Sequence, residues 1–369
     1  AHNLSATADL TIRNRGYETI PHYGAAELMD ELEMAGYDVL LSDIYNDVPK
    51  TETVCISTMD INTDRVREII ANPKNSNKKF VIGGNGLTSH LKDSLVEFPN
   101  TVTVEGSGNG FICQAVGVEG AKSAAVYGRR IEMHQKPYLS KPIFQVIEIS
   151  QGCDQGCNFC RHAKTPIYVP PLELVKAELE AMNLPNKNKP FPFCPKILFI
   201  LDQNLAVCPD NYLEELFDYI NARKIRWIGE LTIMDKIHNE RLLRKMAVGS
   251  LGCLIGAEDF FNPIPGSPAK NELQRNLPEV TRYLQSLGFP AIYSIIFGTD
   301  NQDVSIFPKT AEVISELGIC VYPHLMAPRA GTPFFEQLIR DGRLRDPKSS
   351  HRDMTRHLPH NPKNMNWQE

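Results

Sequence analysis

From residue 143 to residue 326 the sequence alternates between strand-like and helix-like segments. The strand-like segments are short and apolar, whereas the segments between them carry apolar residues at helical spacing. The strand candidates are residues 143–150, 196–202, 226–233, 252–258, 290–298 and 318–326, and the helix candidates are residues 171–182, 210–222, 239–247, 277–288 and 305–318. This repetition predicts parallel strands in a partial (β/α)6 barrel, with a functional site at the carboxyl ends of the strands.

Residues 9–130 show the same alternation over a shorter length. The strand candidates are residues 8–14, 38–44, 53–59 and 78–85 and the stretch that opens 101–110, and the helix candidates are residues 24–37 and 63–72. This α/β pattern predicts a Rossmann-like domain built on a parallel sheet. We therefore expect a first domain over residues 1–130, a polar linker over 131–142, the barrel over 143–345 and a C-terminal tail or lid over 346–369.

The composition is that of a globular protein and excludes several classes of function. The net charge of −5 over 369 residues argues against electrostatic binding to nucleic acid. No apolar run approaches the roughly 18 residues that a membrane span needs, and no secretory signal is recognised at the start. Nine cysteines without a disulfide-like framework predict a reducing, cytoplasmic location.

Cys153, Cys157 and Cys160 are crowded into one short stretch directly after the first barrel strand. Their spacing is too tight for three separate disulfides. Structural zinc usually takes four ligands in two separated pairs, and His162 would be a cramped fourth ligand here. Three thiolates on a [4Fe–4S] cluster would instead leave one iron open to a substrate or cofactor. The position and spacing favour the cluster over zinc.

The stretch CDQGCNFC resembles the CxxxCxxC signature of the radical S-adenosylmethionine (SAM) superfamily, including the aromatic Phe159 before the third cysteine. The resemblance extends over roughly residues 145–345, through the segments ILFILDQNLAV, GSLGCLIGAED and APRAGTPFFEQLIRDGRL. It implies a [4Fe–4S] cluster on the three cysteines, SAM on the open iron, and a 5′-deoxyadenosyl radical formed when the reduced cluster cleaves SAM. It also implies an external one-electron donor such as flavodoxin or ferredoxin.

Five residues are candidates for contact with SAM. The resemblance implies this role for Phe159, Asp202, Asn204 and Glu258. Without it, Asp202 and Asn204 would fit as caps of the following helix, and Glu258 would fit as an exposed turn residue. Glu230 is a candidate on physical grounds, because a carboxylate in an apolar barrel strand must face either the lumen or solvent.

The first domain resembles the cobalamin-binding domain of one radical SAM subgroup, in the segments HYGAAELMDELEMAGYDVLLSDI, FVIGGNGLTSH and TVTVEGSGNG. The turns after two of its strands supply the candidate cobalamin contacts: Gly83, Gly84, Asn85, Gly86, Glu105, Gly106 and Gly108. The Asp-x-His-x-x-Gly motif that puts a histidine on cobalt in other cobalamin proteins is missing, since no Asp lies two residues before His22. Two alternatives stay open: tight turns alone, and a domain kept as a scaffold without cobalamin.

These features predict a cobalamin-dependent radical SAM C-methyltransferase acting on an unactivated carbon. In such enzymes one SAM methylates cob(I)alamin, and a second SAM yields the radical that removes hydrogen from the substrate. The alternative is a radical SAM oxidoreductase, cyclase or rearrangement enzyme whose front domain does not transfer methyl. A non-catalytic metal-binding module is disfavoured by the barrel motifs. A methylthiotransferase is disfavoured because residues 1–142 hold only Cys55 and Cys113.

The substrate is only weakly constrained by the sequence. The short C-terminal part should leave the barrel open, which favours a peptide or protein side chain over a small enclosed metabolite. Arg329, near the end of the last strand, is a candidate for binding an anionic substrate group.

Overall fold

The computed structural model describes Leu32 and residues 51–57, 63–84, 89–104, 144–182, 197–329, 331–345 and 359–366. The chain divides into two compact units. One comprises residues 1–143 with 177–183, and the other comprises residues 144–176 with 184–369. The predicted strands at 8–14 and 38–44, and all of the predicted helix at 24–37 except the helical Leu32, lie outside the described residues.

Within the described residues of the first unit, three parallel strands form a sheet in the order β1–β2–β3. β1 spans Thr53–Ser57, β2 spans Lys79–Gly83 and β3 spans Thr101–Thr103. β2 pairs with both neighbours, with Ile56 opposite Ile82 on one side and Ile82 opposite Thr103 on the other.

Two helices connect these strands and cover their apolar side chains. α1 spans Thr63–Ala71 and precedes a 3-10 turn, and α2 spans Ser89–Leu95. The helices and strands share one core, which contains Val54, Ile56, Val66, Ile69, Ile70, Phe80, Ile82, Leu91 and Leu95. A parallel strand–helix–strand–helix–strand unit of this kind is the Rossmann-like arrangement predicted for the first domain.

The second unit is built on six parallel strands whose spatial order, β4–β7–β8–β9–β10–β11, follows the chain. The strands are β4 (Phe144–Ile147), β7 (Ile197–Ile200), β8 (Trp227–Leu231), β9 (Ser250–Glu258), β10 (Ala291–Phe297) and β11 (Cys320–Leu325). All six lie in the predicted segments, apart from a two-residue extension at the start of β9. The partial (β/α)6 barrel predicted from the alternation is therefore confirmed.

Seven helices of the second unit lie within the described residues. They are α3 (Leu172–Ala181), α4 (Asp210–Ala222), α5 (Glu240–Gly249), α6 (Pro268–Arg275), α7 (Leu277–Ser286), α8 (Ile306–Leu317) and α9 (Pro333–Arg340). In α4 the buried side chains Leu213, Leu216, Phe217 and Ile220 recur every three or four residues, which gives one apolar stripe. The Phe217 ring lies 4.9 Å from that of Trp227 in β8, so this stripe faces the sheet.

The structure differs from the sequence prediction at three places near the cysteines. β4 ends at Ile147 instead of residue 150, because the amides of Ile149 and Ser150 each donate to the Asp202 carboxylate at 2.7 Å. An antiparallel hairpin follows, formed by β5 (Gln151–Cys153) and β6 (Thr165–Tyr168). Helix α6 is also additional. No helix among the described residues is long and apolar enough to cross a bilayer.

Candidate active site

The three clustered cysteines lie in and at the start of the loop that joins β5 to β6. Cys153 ends β5, Cys157 is buried and Cys160 is half-buried. The loop is closed by its own backbone: the Cys160 amide donates to the Cys157 carbonyl at 3.1 Å, and the Lys164 amide donates to the Gln155 carbonyl at 2.9 Å. This folding brings together the three thiols that the sequence singled out.

A second segment, residues 263–267 between β9 and α6, braces the cysteine loop. The Gly156 amide donates to the Gly266 carbonyl at 2.8 Å, and the Asn158 amide donates to the Pro265 carbonyl at 3.4 Å. The buried Ser267 hydroxyl donates to Gln155 Oε1 at 3.0 Å. These three hydrogen bonds therefore fix the cysteine loop against residues 263–267.

The cysteine side chains are free thiols, like the other four cysteines within the described residues. Burial is the largest influence on the pKa of Cys153 and of Cys160, and it raises both. The neighbouring thiols raise these pKa values further, which reflects how close the three sulfurs are to one another. Three thiols that repel one another as anions form a donor set suited to a cationic metal group, which would relieve that repulsion.

The thiols are not arranged as ligands of a single ion. In the described ranges, no group of three His, Cys, Asp or Glu side chains could hold one metal ion. A [4Fe–4S] cluster does not need such convergence, since each cysteine binds a different iron. Three thiols in one loop could therefore each bind one iron of such a cluster.

Lys270 of α6 brings a positive charge to the thiols. Its ammonium forms an ion pair with Oε1 of Glu258, and the side chains are only 13% and 10% exposed, respectively. Burial acts to lower the pKa of Lys270, but Glu258 and the thiols of Cys157 and Cys160 outweigh it and raise that pKa. Lys270 in turn lowers the pKa of Cys160 against the effect of burial. A buried cation thus lies between the predicted SAM residue and the cysteines.

Glu258 ends β9 in a conformation that ordinary residues rarely adopt, with φ of +62°. The side chain folds back over Gly256: a Cβ at Gly256 would lie 2.9 Å from Glu258 Oε1 and 2.9 Å from Lys270 Nζ. A side chain at position 256 would displace the ion pair. Strained backbone of this kind persists only where the surroundings fix it, and it is frequent at functional sites.

Glu230 lies on the face of the sheet opposite α4. Within β8, Trp227, Gly229 and Leu231 are buried, whereas Glu230 is exposed. Its pKa is nevertheless raised, chiefly by desolvation and then by the Glu258 carboxylate, while Lys270 lowers it. The side chain is thus accessible but shielded by the surrounding barrel. The charges of Glu258 and Lys270 both act on Glu230, so the three side chains lie near one another.

Asp202 is engaged within the protein. Its two oxygens accept from the amides of Ile149 and Ser150, and the Ser150 hydroxyl adds a third bond. Burial raises the pKa of Asp202 to about 7, and these donors act in the opposite direction. The carboxylate ties the end of β7 to the end of β4. This arrangement favours a structural role over the predicted contact with SAM.

Asn204 has a similar role on the other side of β7. Its Oδ1 accepts from the amide of Thr232 at 2.8 Å and from that of Ala206 at 3.3 Å, so it caps a 3-10 turn over Leu205–Val207. Its Nδ2 is buried without a hydrogen-bond partner in the part of the chain that the structure describes. Asn204 therefore acts as a cap, which was the alternative to SAM contact drawn from the sequence. The cap does not use the Nδ2 donor.

A cavity of about 130 Å³ opens between the cysteine loop and the ends of β9, β10 and β11. Phe159 and Glu258, two of the predicted SAM residues, line it together with Asn158, Ile296 and Met326. Phe159 also packs against the apolar cluster of Met326, Phe334 and Leu338. The cavity thus combines apolar walls with a few polar groups.

Gln302, which the sequence analysis did not single out, organises the far wall of this cavity. Its Nε2 donates to Asp259 Oδ2 and to the Ile296 carbonyl, both at 2.8 Å. Its Oε1 accepts from the amides of Gly298 and Thr299 at 2.8 and 3.2 Å. Gln302 is 2% exposed, so this one amide joins the end of β9 to the end of β10.

Arg329 lies near the cysteine loop on the side of His162. Burial is the largest cause of the lowered pKa of His162, and the charges of Arg161 and Arg329 lower it further. The Arg329 carbonyl accepts from the Thr332 amide at 3.1 Å and from its hydroxyl at 2.7 Å. The backbone of Arg329 is thus fixed next to α9.

Two of the candidate cobalamin residues, Gly83 and Gly84, fall within the described residues. Gly83 ends β2, and a Cβ there would approach the Val104 carbonyl oxygen to 3.3 Å. Gly84 has φ of +91°, which favours glycine. The carboxyl ends of β2 and β3 therefore lie close together. Asn85, Gly86, Glu105, Gly106 and Gly108 lie outside the described residues.

No protein-family model and no curated protein matches the sequence. Among solved structures, the chain is similar to the radical SAM methyltransferase TsrM from Kitasatospora setae with cobalamin and a [4Fe–4S] cluster bound. The TM-score is 0.63 at 13% identity, over 87% of this chain and 75% of TsrM. TsrM with its tryptophan substrate and the SAM analogue aza-SAM gives a TM-score of 0.61 at 14% identity, over 87% of this chain and 73% of TsrM.

The chain is also similar to OxsB, a cobalamin-dependent SAM radical enzyme, in the structure with aqua-cobalamin and SAM. The TM-score is 0.61 at 12% identity, over 92% of this chain, which spans 55% of OxsB. At such identity the likeness establishes the fold. The chain has the two-part α/β fold of the cobalamin-dependent radical SAM enzymes, as the sequence predicted.

Proposed function

We propose that this chain is a cobalamin-dependent radical SAM methyltransferase that acts on an unactivated carbon. The observation that carries the proposal is the meeting of three free thiols, Cys153, Cys157 and Cys160, in one braced loop of a partial barrel. These thiols would hold a [4Fe–4S] cluster. Bound there, the cluster and SAM would together supply the radical that removes a hydrogen atom from the substrate.

The chain's own residues support SAM binding next to that loop. The cavity beside Phe159 offers apolar contacts from Ile296 and Met326 and polar contacts from Glu258. Glu258 is held in place by Lys270, so its carboxylate does not have to be ordered when a ligand arrives. Glu230 would line the accessible part of the barrel, and the apolar walls would shield a radical from water.

Cobalamin binding by the first unit is supported by its parallel sheet and by the glycines after β2. Gly83 and Gly84 lie at the carboxyl edge of the sheet, which is where such sheets bind cofactors. The likeness to TsrM and OxsB adds support at the level of fold.

The experiment measures iron and cobalt in protein purified anaerobically from cobalamin-supplied cells. About four iron atoms and about one cobalt per chain are expected. SAM with a deuterated methyl group should then give 5′-deoxyadenosine and a labelled product. Iron and 5′-deoxyadenosine without cobalt would favour an oxidoreductase, cyclase or rearrangement enzyme instead. A chain that binds no iron would overturn the radical SAM assignment.

For the substrate, we propose a peptide or protein side chain. The support is the accessibility of the barrel's open face, where Glu230 is exposed and Tyr322 of the outermost strand β11 is 53% exposed. A large substrate can approach such a face, and Arg329 would hold an anionic group of it. Incubation with a peptide library and methyl-deuterated SAM should label peptides; label found only in small metabolites would contradict this assignment. Electrons would come from a flavodoxin or ferredoxin in the cytoplasm.

A further inference from the structure

Residues 359–366, here called the C-terminal strap, pack on the second unit near α9. Four of its side chains are buried: Pro359, His360, Pro362 and Met365. The strap pairs with the residues after α9 through an antiparallel bridge between Leu344 and His360. Backbone bonds extend this contact, with the Arg345 amide donating to the Pro359 carbonyl at 3.1 Å and the Asn361 amide donating to the Arg343 carbonyl at 2.9 Å.

His360 is a buried polar residue of the strap. It is fully buried, and its Nε2 lies 3.0 Å from the carbonyl oxygen of Gly298. Since a carbonyl can only accept, Nε2 carries the proton and donates it. The ring also meets the Phe334 ring edge-on, with 5.4 Å between their centroids.

Asp300 is held by Arg343 and by Asn364 of the strap. Its carboxylate accepts both terminal nitrogens of Arg343, at 2.5 and 2.8 Å, and its carbonyl accepts from Asn364 Nδ2 at 2.9 Å. Arg343 also donates to the Asn361 carbonyl at 3.0 Å, which links the strap to the ion pair. The Arg343 and Asp300 side chains are 15% and 16% exposed, so water screens this pair only partly.

These contacts converge on residues 298–301, here called the wall turn. Thr299, Asp300 and Asn301 line the cavity, as does Phe334, which the His360 ring contacts. Gln302 fixes the same turn through the amides of Gly298 and Thr299. The strap reaches the carbonyls of Gly298 and Asp300. Gln302 therefore holds two amides of the wall turn, and the strap holds two of its carbonyls.

We infer that His360 is a positioning residue for the cavity, and that the strap is a structural part of its wall. By holding the Gly298 carbonyl, His360 keeps the wall turn in the shape that receives the ligand. Arg343 and Asn364 hold Asp300 in the same way. This inference rests on the proposed function, in which SAM binds next to the cysteine loop and contacts this cavity. It predicts that changes at the strap weaken SAM binding although no strap residue needs to touch SAM.

The test compares SAM affinity in the full-length, iron-loaded protein by anaerobic equilibrium dialysis. His360→Phe keeps an aromatic ring on Phe334 but cannot donate to Gly298, and His360→Gln restores a donor. Loss of one buried hydrogen bond should weaken SAM binding about fivefold in His360→Phe, and His360→Gln should recover most of it. Asn361→Ala is the control, since the Asn361 side chain is exposed and only its backbone makes the strap contacts given above.

Asn364→Ala serves as a second variant that removes one bond at an exposed residue and should leave folding intact. It is expected to weaken SAM binding about two- to threefold at unchanged iron content. Equal affinity in wild type, His360→Phe and Asn364→Ala would overturn the inference while leaving the proposed function intact. A wild-type protein that carries iron but binds no SAM would overturn both.

Discussion

Gly156 and Gly266 are in backbone contact: the amide of Gly156 donates to the carbonyl of Gly266 at 2.8 Å. A Cβ on Gly266 would lie 1.9 Å from the Gly156 carbonyl oxygen, and one on Gly156 would lie 2.8 Å from the Gly266 carbonyl oxygen. Gly266 also has φ of +82°. The cysteine loop and its brace can therefore approach this closely only because both residues lack a side chain.

Gly266→Ala should disrupt the cysteine loop and with it the ability to hold iron. The new methyl group would collide with backbone, which cannot move aside as a flexible side chain does, so the brace must separate from the loop. We expect iron content to fall below about half of the wild-type value, measured after anaerobic reconstitution.

Gly288→Ala is the matched control for this substitution. Gly288 also has positive φ, +68°, but a Cβ there would meet nothing within 4 Å. Gly288→Ala should lower the free energy of unfolding by about 1 kcal/mol through backbone strain, and it should leave the iron content unchanged. Equal iron loss in both variants would show that strain alone, and not the contact with the cysteine loop, is responsible.

Cys157→Ala should abolish the visible absorbance of the iron–sulfur cluster and the cleavage of SAM. Cys157 is the most buried of the three thiols and lies at the centre of the loop, so its loss leaves two ligands that cannot hold the cluster alone. Cys320→Ala, at an exposed thiol outside the loop, is the control and should retain both properties. Continued formation of 5′-deoxyadenosine by Cys157→Ala would refute the assignment of the cluster ligands.

Lys270→Met should destabilise the second unit more than loss of an ordinary ion pair does. The substitution leaves the Glu258 carboxylate buried without its cation, and such a change costs about 3 kcal/mol. Thermal unfolding followed by circular dichroism measures this. The double variant Glu258→Gln with Lys270→Met should recover part of the loss, because no uncompensated charge remains.

Arg244→Met removes an exposed ion pair with Glu240 and is the comparison for the Lys270 substitution. It should leave the unfolding temperature nearly unchanged, since solvent screens such pairs. If Lys270→Met were equally mild, the ion pair with Glu258 would have to be much more hydrated than its burial indicates.

The sheets were predictable from the sequence because their signals are local. Every strand of the six-stranded sheet carries its own apolar run, and glycine or proline marks several of the turns. The thiol cluster was predictable for the same reason, since its three members lie within one loop. Helix α6 was missed because Pro268–Arg275 is short and polar, with only Ala269 and Leu273 buried. Its apolar pattern is too sparse to indicate a helix.

The contacts that shape the cavity were not predictable, because they join residues far apart in the chain. In the sequence alone, Lys270 cannot be distinguished from a surface lysine, because only the fold brings it to Glu258. Gln302 lies 43 residues from its partner Asp259, and His360 lies 62 residues from Gly298. Asp202 was predicted to contact SAM, but its carboxylate accepts from the amides of Ile149 and Ser150, which follow another strand. Only the tertiary structure distinguishes a carboxylate that joins the ends of two strands from one that contacts a ligand.

The strap should make the protein sensitive to mild acid through His360. Burial lowers the pKa of His360 from 6.5 to about 4, with Arg343 adding to this effect and the Gly298 carbonyl and Asp300 opposing it. Asp341, paired with Arg343, and Lys363, 4.0 Å from Asp300, are the other charges nearby. His360 is therefore neutral in the folded protein over a range in which it is protonated in the unfolded chain.

The sign of the effect follows from proton binding. As the pH falls from 6.5 towards 4, the unfolded state takes up a proton that the folded state does not, so stability decreases. At a pH of about 5 the loss amounts to about 2 kcal/mol relative to neutral pH. Urea unfolding of wild type and His360→Gln at pH values from about 7 to about 5 measures it. The wild type should lose more stability than the variant, because glutamine does not titrate, and parallel curves would mean that His360 is accessible to protons in the folded state.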